Sequence, residues 1–92
     1  LPVLRYSDID EVIRRANDTP YGLGATIWTA DPERALEIAM RIDSGTVWVN
    51  KHLDLPPDVR VGGAKQSGIG AELGVDGLLE FTQAKVINMS LV

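Results

Sequence analysis

The chain has 92 residues, a length that fits one small domain or a piece of a larger one. Its 9 basic and 13 acidic residues give a net charge of −4 at neutral pH, which argues against nucleic-acid or acidic-membrane binding because both require a basic surface. The absence of cysteine excludes a disulfide framework, a thiolate zinc site and a cysteine nucleophile within these residues.

The apolar content of 45% predicts a folded core rather than a disordered tail. No apolar run approaches the roughly 18 residues of a membrane helix, so we expect no membrane-spanning helix in these residues. The first residues, 1–4, lack a basic region ahead of an apolar stretch, and we expect a cut end there rather than a signal peptide.

The first part of the chain has the sequence patterns of a short strand followed by a helix. Val3–Tyr6 fits a short strand, and Ser7 with Asp10 three residues later is a weak form of the capping box that starts helices. Apolar residues then recur at helical spacing from Ile9 to Ala16, which predicts a helix with one apolar face. Asn17–Pro20 is expected to end it.

The middle of the chain predicts a strand, a helix and a second strand. Ala25–Thr29 is rich in β-branched and aromatic residues, which is typical of a strand. Asp31 and Pro32 suit the N-cap and first position of a helix, and Ser44–Gly45 is expected to end that helix with a glycine cap. Thr46–Val49 follows as a strand, so we expect a parallel pair with a right-handed crossover.

Periodicity disappears in the second half of the chain. The stretch Asn50–Gly70 contains Pro56–Pro57 and several glycines, and an irregular stretch of this length is usually functional or disordered. A short helix is predicted over Val75–Phe81 and a final strand over Lys85–Leu91. The predicted fold class is therefore α/β, with a partial parallel sheet covered by helices and a C-terminal strand.

Individual motifs in this half support both functional and structural interpretations. Gly68–Gly74 resembles a dinucleotide fingerprint, but its spacing is off by one residue and no strand leads directly into it, which favours an ordinary loop. Lys65 suits contact with a carbonyl or an anion, although a solvated surface lysine is the commoner case. Glu72 suits proton transfer if partly buried, or a helix-start acid beside the helix dipole. Trp28 and Trp48 are expected to pack in the core.

Three sequence blocks carry a family resemblance when taken together. They are Ala16–Leu23 (ANDTPYGL), Ser44–Asn50 (SGTVWVN) and Gly62–Gly70 (GGAKQSGIG), with Glu72–Gly74 behind them. In this order and spacing they closely resemble the C-terminal part of the NAD(P)-dependent aldehyde dehydrogenase superfamily. The resemblance implies that residues 1–84 are the C-terminal part of a catalytic domain and that residues 85–92 are an oligomerisation strand.

The resemblance also implies a reaction for a longer parent protein. In this family a cysteine attacks the aldehyde, hydride passes to NAD or NADP, and a glutamate activates the water that releases the carboxylic acid. The nucleophile, the general base and the dinucleotide fold would lie outside these residues, and the cofactor would bind mainly to residues absent here. We therefore expect this chain alone to be inactive and its parent to be a cytoplasmic oxidoreductase.

Roles near the substrate follow from the same resemblance. Asn50 matches a position close to the catalytic pocket, and Leu55 and Val61 match positions that line the aldehyde tunnel. Relatives usually carry Pro-Phe where this chain has Arg60-Val61, which removes a large apolar wall. The Arg60 guanidinium either favours a substrate with a distal carboxylate or points to solvent.

Assembly roles are implied as well. Lys65 and Gly68 match residues of a potassium site between subunits in some betaine aldehyde dehydrogenases, and Glu72 matches a proposed proton relay there. The expected partners are the remainder of the parent enzyme and further copies of it, joined through the C-terminal strand, with no nucleic acid or membrane. The alternatives are a standalone, non-catalytic interaction or oligomerisation module derived from the same fold, or a reductase or acyl-transferring member of the superfamily.

Overall fold

A computed structural model describes residues 1–92 and contains three helices and four strands. In chain order they are α1 (Ile9–Asn17), β1 (Tyr21–Gly22), β2 (Gly24–Ile27), α2 (Pro32–Ala39), β3 (Thr46–Val49), β4 (Ala64–Lys65) and α3 (Gly74–Leu79). The predicted α/β class is confirmed at the level of a small α/β unit with short sheets. None of the helices has the length and apolar character needed to cross a membrane.

An aspartate caps the start of α1. The Asp8 side chain accepts a hydrogen bond from the backbone N–H of Asp10 at 3.0 Å, whereas the sequence predicted Ser7 in this region as the cap. The prediction was wrong by one residue because the extended backbone of Asp8, with φ −128° and ψ 124°, brings its carboxylate to the first amides of the helix. Ile13 is the buried residue of α1.

The strand–helix–strand prediction is confirmed. β2 and β3 pair in parallel, from Gly24 opposite Thr46 to Ile27 opposite Val49, and α2 forms the connection between them. Asp31 caps α2 through its side chain, which accepts from the amide of Arg34 at 3.0 Å, and Pro32 occupies the first helical position.

The predicted end of α2 was wrong. The helix stops at Ala39, because the amides of Arg41 and Ile42 bond the carbonyls three residues earlier and tighten the chain into turns. Gly45 therefore lies outside the helix. Its N–H donates to the carbonyl of Gly22 at 2.9 Å, and a Cβ at Gly45 would stand 1.6 Å from the carbonyl oxygen of Gly62. Glycine is required here because three backbone segments touch.

The stretch predicted to be irregular contains a second pairing. β1 and β4 are antiparallel, with Tyr21 opposite Lys65 and Gly22 opposite Ala64. Beyond β4, the amide of Gln66 bonds the carbonyl of Pro20 at 2.8 Å, so the glycine-rich segment lies against the turn that follows α1. The chain is therefore held from its first quarter to its last third by backbone hydrogen bonds.

The two ends differ from the strands that the sequence predicted. Val3–Tyr6 forms no strand, because no other segment pairs with it. The helix predicted over Val75–Phe81 is present as α3, shifted by one to two residues. Lys85–Leu91 pairs with nothing inside the chain, so its pairing with another subunit stays a prediction.

The apolar core is small. Its buried apolar residues are Ile13, Ala35 and Trp48, whereas Trp28 is 69% exposed, so the core prediction holds for only one of the two tryptophans. The chain exposes 7872 Å², against about 5,200 Å² for a compact folded protein of 10.0 kDa. Its radius of gyration is 18.3 Å, against about 12 Å for a compact chain of this length. Much apolar surface is therefore left uncovered.

The backbone contact at Gly45 generates a stability prediction. Gly45→Ala should lower the free energy of unfolding by about 3 kcal/mol or more, because its methyl group overlaps the Gly62 carbonyl. Gly68→Ala is the comparison, since a Cβ there meets nothing within 4 Å and only the backbone angle, φ +140°, resists it. We expect that variant to lose about 1–2 kcal/mol of unfolding free energy. Urea denaturation of the full-length parent measures both, and equal losses would show that the Gly45–Gly62 contact is not tight.

Candidate functional site

Three of the predicted site residues line one groove. Val61, Gly68 and Glu72 belong to a groove of about 430 Å³ formed by the glycine-rich loop, with Leu23 and Phe81 beside it. The loop is closed at its base, where Val61 and Glu72 exchange two backbone hydrogen bonds of 2.7 Å. The groove is therefore a shaped surface with a fixed base rather than an unstructured segment.

The two positions in this groove with predicted chemical roles, Glu72 and Gly68, are both exposed. Glu72 is exposed, whereas the proton-transfer prediction requires a partly buried carboxyl group. That role therefore stays a prediction and depends on protein outside this chain covering the groove. The tip of the loop is open, because space surrounds Gly68 and the Ile69 side chain is fully exposed.

The glycine-rich loop does not have the geometry of a dinucleotide fingerprint. β4 ends at Lys65 and α3 begins at Gly74, so no strand runs directly into the helix. The residue before α3, Leu73, has φ 59° and ψ 168° and makes no side-chain cap. A pyrophosphate cradle requires a strand-to-helix turn that aims several amides at one point, and this segment does not form one.

Lys65 is held inside the chain rather than solvated at its surface. Its ammonium donates to the carbonyl of Asn17 at 2.8 Å and lies 3.2 Å from the carboxylate of Asp43. The side chain retains 21% of its exposure, although the residue as a whole is exposed through its backbone. The structure thus shows the carbonyl contact that the sequence left open.

The potassium site at Lys65 and Gly68 stays a prediction. An ammonium group donates hydrogen bonds and offers no lone pair, so the Lys65 side chain does not serve as a cation ligand. Potassium sites are built from rings of oxygen atoms, and the backbone carbonyls of this loop are groups of that kind. The chain brings together no group of three acidic or histidine side chains suited to a metal.

Arg60 is paired with a carboxylate of its own chain. Its Nε lies 3.5 Å from Asp76 Oδ2, and its terminal nitrogens lie against Gly62. The pair borders a second groove of about 430 Å³, together with Glu80 and Thr82. Since both side chains are about half exposed, the pair is worth at most about 1 kcal/mol. A substrate carboxylate would therefore compete with Asp76, and selection by Arg60 stays a prediction.

Asn50 extends the parallel sheet through its side chain. Its Oδ1 accepts from the Thr29 N–H and its Nδ2 donates to the Thr29 carbonyl, both at 2.8 Å. Its own N–H bonds the Ile27 carbonyl, and its φ of 55° turns the chain after β3. Both ends of the carboxamide are engaged in this contact. Neither Asn50 nor Leu55, which is exposed, lines the groove of the glycine-rich loop.

The Asn50 contact with Thr29 predicts that replacing Asn50 by the isosteric aspartate lowers the unfolding free energy. Asn50→Asp should cost about 1–2 kcal/mol of unfolding free energy, because a carboxylate oxygen replaces the donor and faces the Thr29 carbonyl. Gln83→Glu makes the same amide-to-carboxylate change at an exposed residue ahead of residues 85–92 and should cost nothing measurable. Urea denaturation of the two variants in the full-length parent decides, and equal stabilities would show that the contact contributes nothing to stability.

A third groove, which is apolar, was not predicted from the sequence. It lies between α1 and α2 against β2, has a volume of about 410 Å³ and is lined mainly by apolar side chains, among them Val12, Trp28 and Ile38. The apolar stripes of both predicted helices were the available signal, but nothing in the sequence said that the stripes would face each other across an uncovered strand.

Comparison with known proteins identifies the family. A model of the aldehyde dehydrogenase family matches residues 1–87. The chain belongs to the aldehyde dehydrogenase family. It is 44% identical over 89 residues to Aldehyde dehydrogenase, cytosolic 1 of Rattus norvegicus, covering 97% of this chain and 18% of that protein. It is 43% identical over 90 residues to Retinaldehyde dehydrogenase 3 of Homo sapiens, covering 98% and 18%.

Solved structures agree with this assignment. An aldehyde dehydrogenase from Bacillus cereus in complex with NAD+ superposes with a TM-score of 0.83 at 40% identity, over 87% of this chain and 16% of that one. A betaine aldehyde dehydrogenase from Staphylococcus aureus in complex with NAD+ gives 0.80 at 39% identity, over 83% and 15%. This aldehyde dehydrogenase chain spans about 18% of the length of the curated relatives it matches.

Proposed function

We propose that this chain is the C-terminal part of the catalytic domain of an NAD(P)-dependent aldehyde dehydrogenase, over residues 1–84, followed by a subunit-assembly strand over residues 85–92. The observation that carries the proposal is the family match over almost the whole chain, together with the small share of each relative that the chain spans. The exposed apolar surface supports it from physics alone.

The exposed surface indicates how much protein is needed to cover it. The chain exposes about 2,600 Å² more than a compact protein of its mass; covering this area would bury about 5,200 Å² counted over both partners, which is the size of a large permanent interface. The apolar groove between α1 and α2 and the apolar residues Val86, Ile87 and Leu91 of the tail contribute to it. In this proposal the rest of the parent enzyme covers the groove and a second copy pairs with the tail.

The proposed parent reaction is the oxidation of an aldehyde to a carboxylic acid. Bound NAD or NADP accepts the hydride, and the residues that hold the cofactor lie mainly outside this chain. Because the chain has no cysteine, the nucleophile is also supplied from elsewhere in the parent. The names of the relatives support NAD as cofactor and, for the rat protein, a cytosolic location, which we propose for the parent here.

The proposed contribution of these residues to that reaction is one wall of the substrate tunnel. Val61 lines the loop groove, and the Val61–Glu72 bridge fixes where both side chains begin. Asn50 acts through Thr29, by setting the direction of the chain that leads to Leu55. Arg60 offers a cation whose partner, Asp76, a substrate carboxylate would have to displace.

Val61 predicts how the tunnel distinguishes substrates. In the full-length parent, Val61→Phe should raise kcat/KM for aromatic aldehydes by about tenfold, because a ring gives them more apolar contact. Short aliphatic aldehydes should change by less than about twofold. Val59→Phe is the matched control, since Val59 is half exposed and lies outside the groove. Equal changes for both substrate classes would show that Val61 does not line the tunnel.

The parent activity itself is tested with a panel of aldehydes. The full-length enzyme should reduce NAD or NADP as an aldehyde is consumed, and the chain of residues 1–92 alone should give no absorbance change. A full-length protein that oxidises none of the panel would contradict the proposal and favour a non-catalytic module. Turnover by residues 1–92 alone would contradict it as well.

A further inference from the structure

A polar contact joins three parts of the chain at the end of α1. The Lys65 ammonium donates to the Asn17 carbonyl at 2.8 Å and lies 3.2 Å from the Asp43 carboxylate. The Asn17 side chain in turn donates to the Arg41 carbonyl at 2.8 Å and accepts from the Asp43 N–H at 2.9 Å. The end of α1, the connection from α2 to β3, and β4 therefore meet at Lys65.

The position of this ammonium differs from that of an ordinary surface lysine. The Lys65 side chain is 21% exposed, whereas Lys51, which also pairs with an aspartate, is 56% exposed. The Asn17 carbonyl is at the C-terminal end of α1, where the helix dipole favours a positive charge. Lys65 also has a backbone φ of 53°, an uncommon value for a residue with a side chain, so this contact has to be maintained against backbone preference.

The contact lies next to the groove of the glycine-rich loop. Immediately after Lys65, the Gln66 amide bonds the Pro20 carbonyl and the Ser67 hydroxyl accepts from the Gly22 amide, both at 2.8 Å. These bonds hold one side of the loop, and the Val61–Glu72 bridge closes its base. Lys65 is thus the charged group at the point where the loop attaches to the rest of the fold.

We propose that Lys65 is a positioning residue for substrate binding: its ammonium, held by Asn17 and Asp43, fixes the glycine-rich loop so that Val61 forms the tunnel wall. The inference rests on the proposed function, because it assigns the groove to the aldehyde path. It predicts that loss of the charge displaces the loop while the parallel sheet stays intact, since no Lys65 contact reaches β2 or β3.

The kinetic test uses the full-length enzyme at a fixed potassium concentration. Lys65→Met should raise the aldehyde KM by about tenfold, the size expected when a charged hydrogen bond is lost, while kcat and the cofactor KM change by less than about twofold. Lys65→Arg keeps the charge and should restore the KM to within about twofold of wild type. Lys51→Met removes the exposed, paired lysine and should leave all constants unchanged.

Amide hydrogen exchange provides a readout that is independent of activity. In Lys65→Met the amides of Gln66 and Gly22 should exchange faster, because their bonds attach the loop, and the amides of β3 should keep wild-type protection. If the wild-type enzyme oxidises no aldehyde, the proposed function fails and the exchange experiment still tests Lys65. Unchanged loop exchange, or faster exchange throughout β3 as well, would overturn the inference.

Discussion

The arrangement of this chain depends on one close backbone crossing. Gly45 donates its N–H to the Gly22 carbonyl, and its α-carbon faces the carbonyl of Gly62 with no room for a side chain between them. A Cβ at Gly22 would likewise stand 2.6 Å from the carbonyl of Asp43. Because these segments touch directly, the glycine-rich loop lies against the strand–helix–strand unit, and the loop groove is formed there.

Polar contacts provide much of the order that a larger core would otherwise provide. With only three apolar residues buried, the chain is linked at long range by Lys65, by the Asn17 side chain and by the hydrogen bonds of Asn50 to Thr29. Such contacts fix direction and register but bury little apolar surface, so they contribute specificity more than stability. Covering the exposed apolar surface with other protein would add the free energy of burying that surface.

The sequence predicted the local part of the fold and missed the non-local part. The β2–α2–β3 unit was predicted because its signals, the Asp31 cap and the β-branched strands, lie within a few residues of the structure they specify. The β1–β4 pairing was missed because its two-residue strands are far apart in sequence and carry no periodicity. Gly45 was misassigned because a glycine after a helix suits either a cap or a close backbone approach, and sequence alone does not separate them.

The candidate site was likewise predicted in part and missed in part. The family resemblance named Val61, Gly68 and Glu72, and the structure brings them to one groove. The contacts of Lys65 with Asn17 and Asp43, 48 and 22 residues away, were beyond any local pattern. Trp28 was predicted to be buried because it is aromatic and lies within the predicted strand Ala25–Thr29, but its exposure depends on what covers the α1–α2 groove, which these residues do not include.

The central claim is that this fold needs further protein to cover its apolar surface. Two measurements on residues 1–92 across urea concentrations test it most directly: sedimentation equilibrium for the association state and tryptophan fluorescence for unfolding. We expect self-association in buffer, and a monomer that appears only as the fold is lost over a broad transition. A monodisperse monomer that unfolds in one sharp, cooperative transition would contradict it.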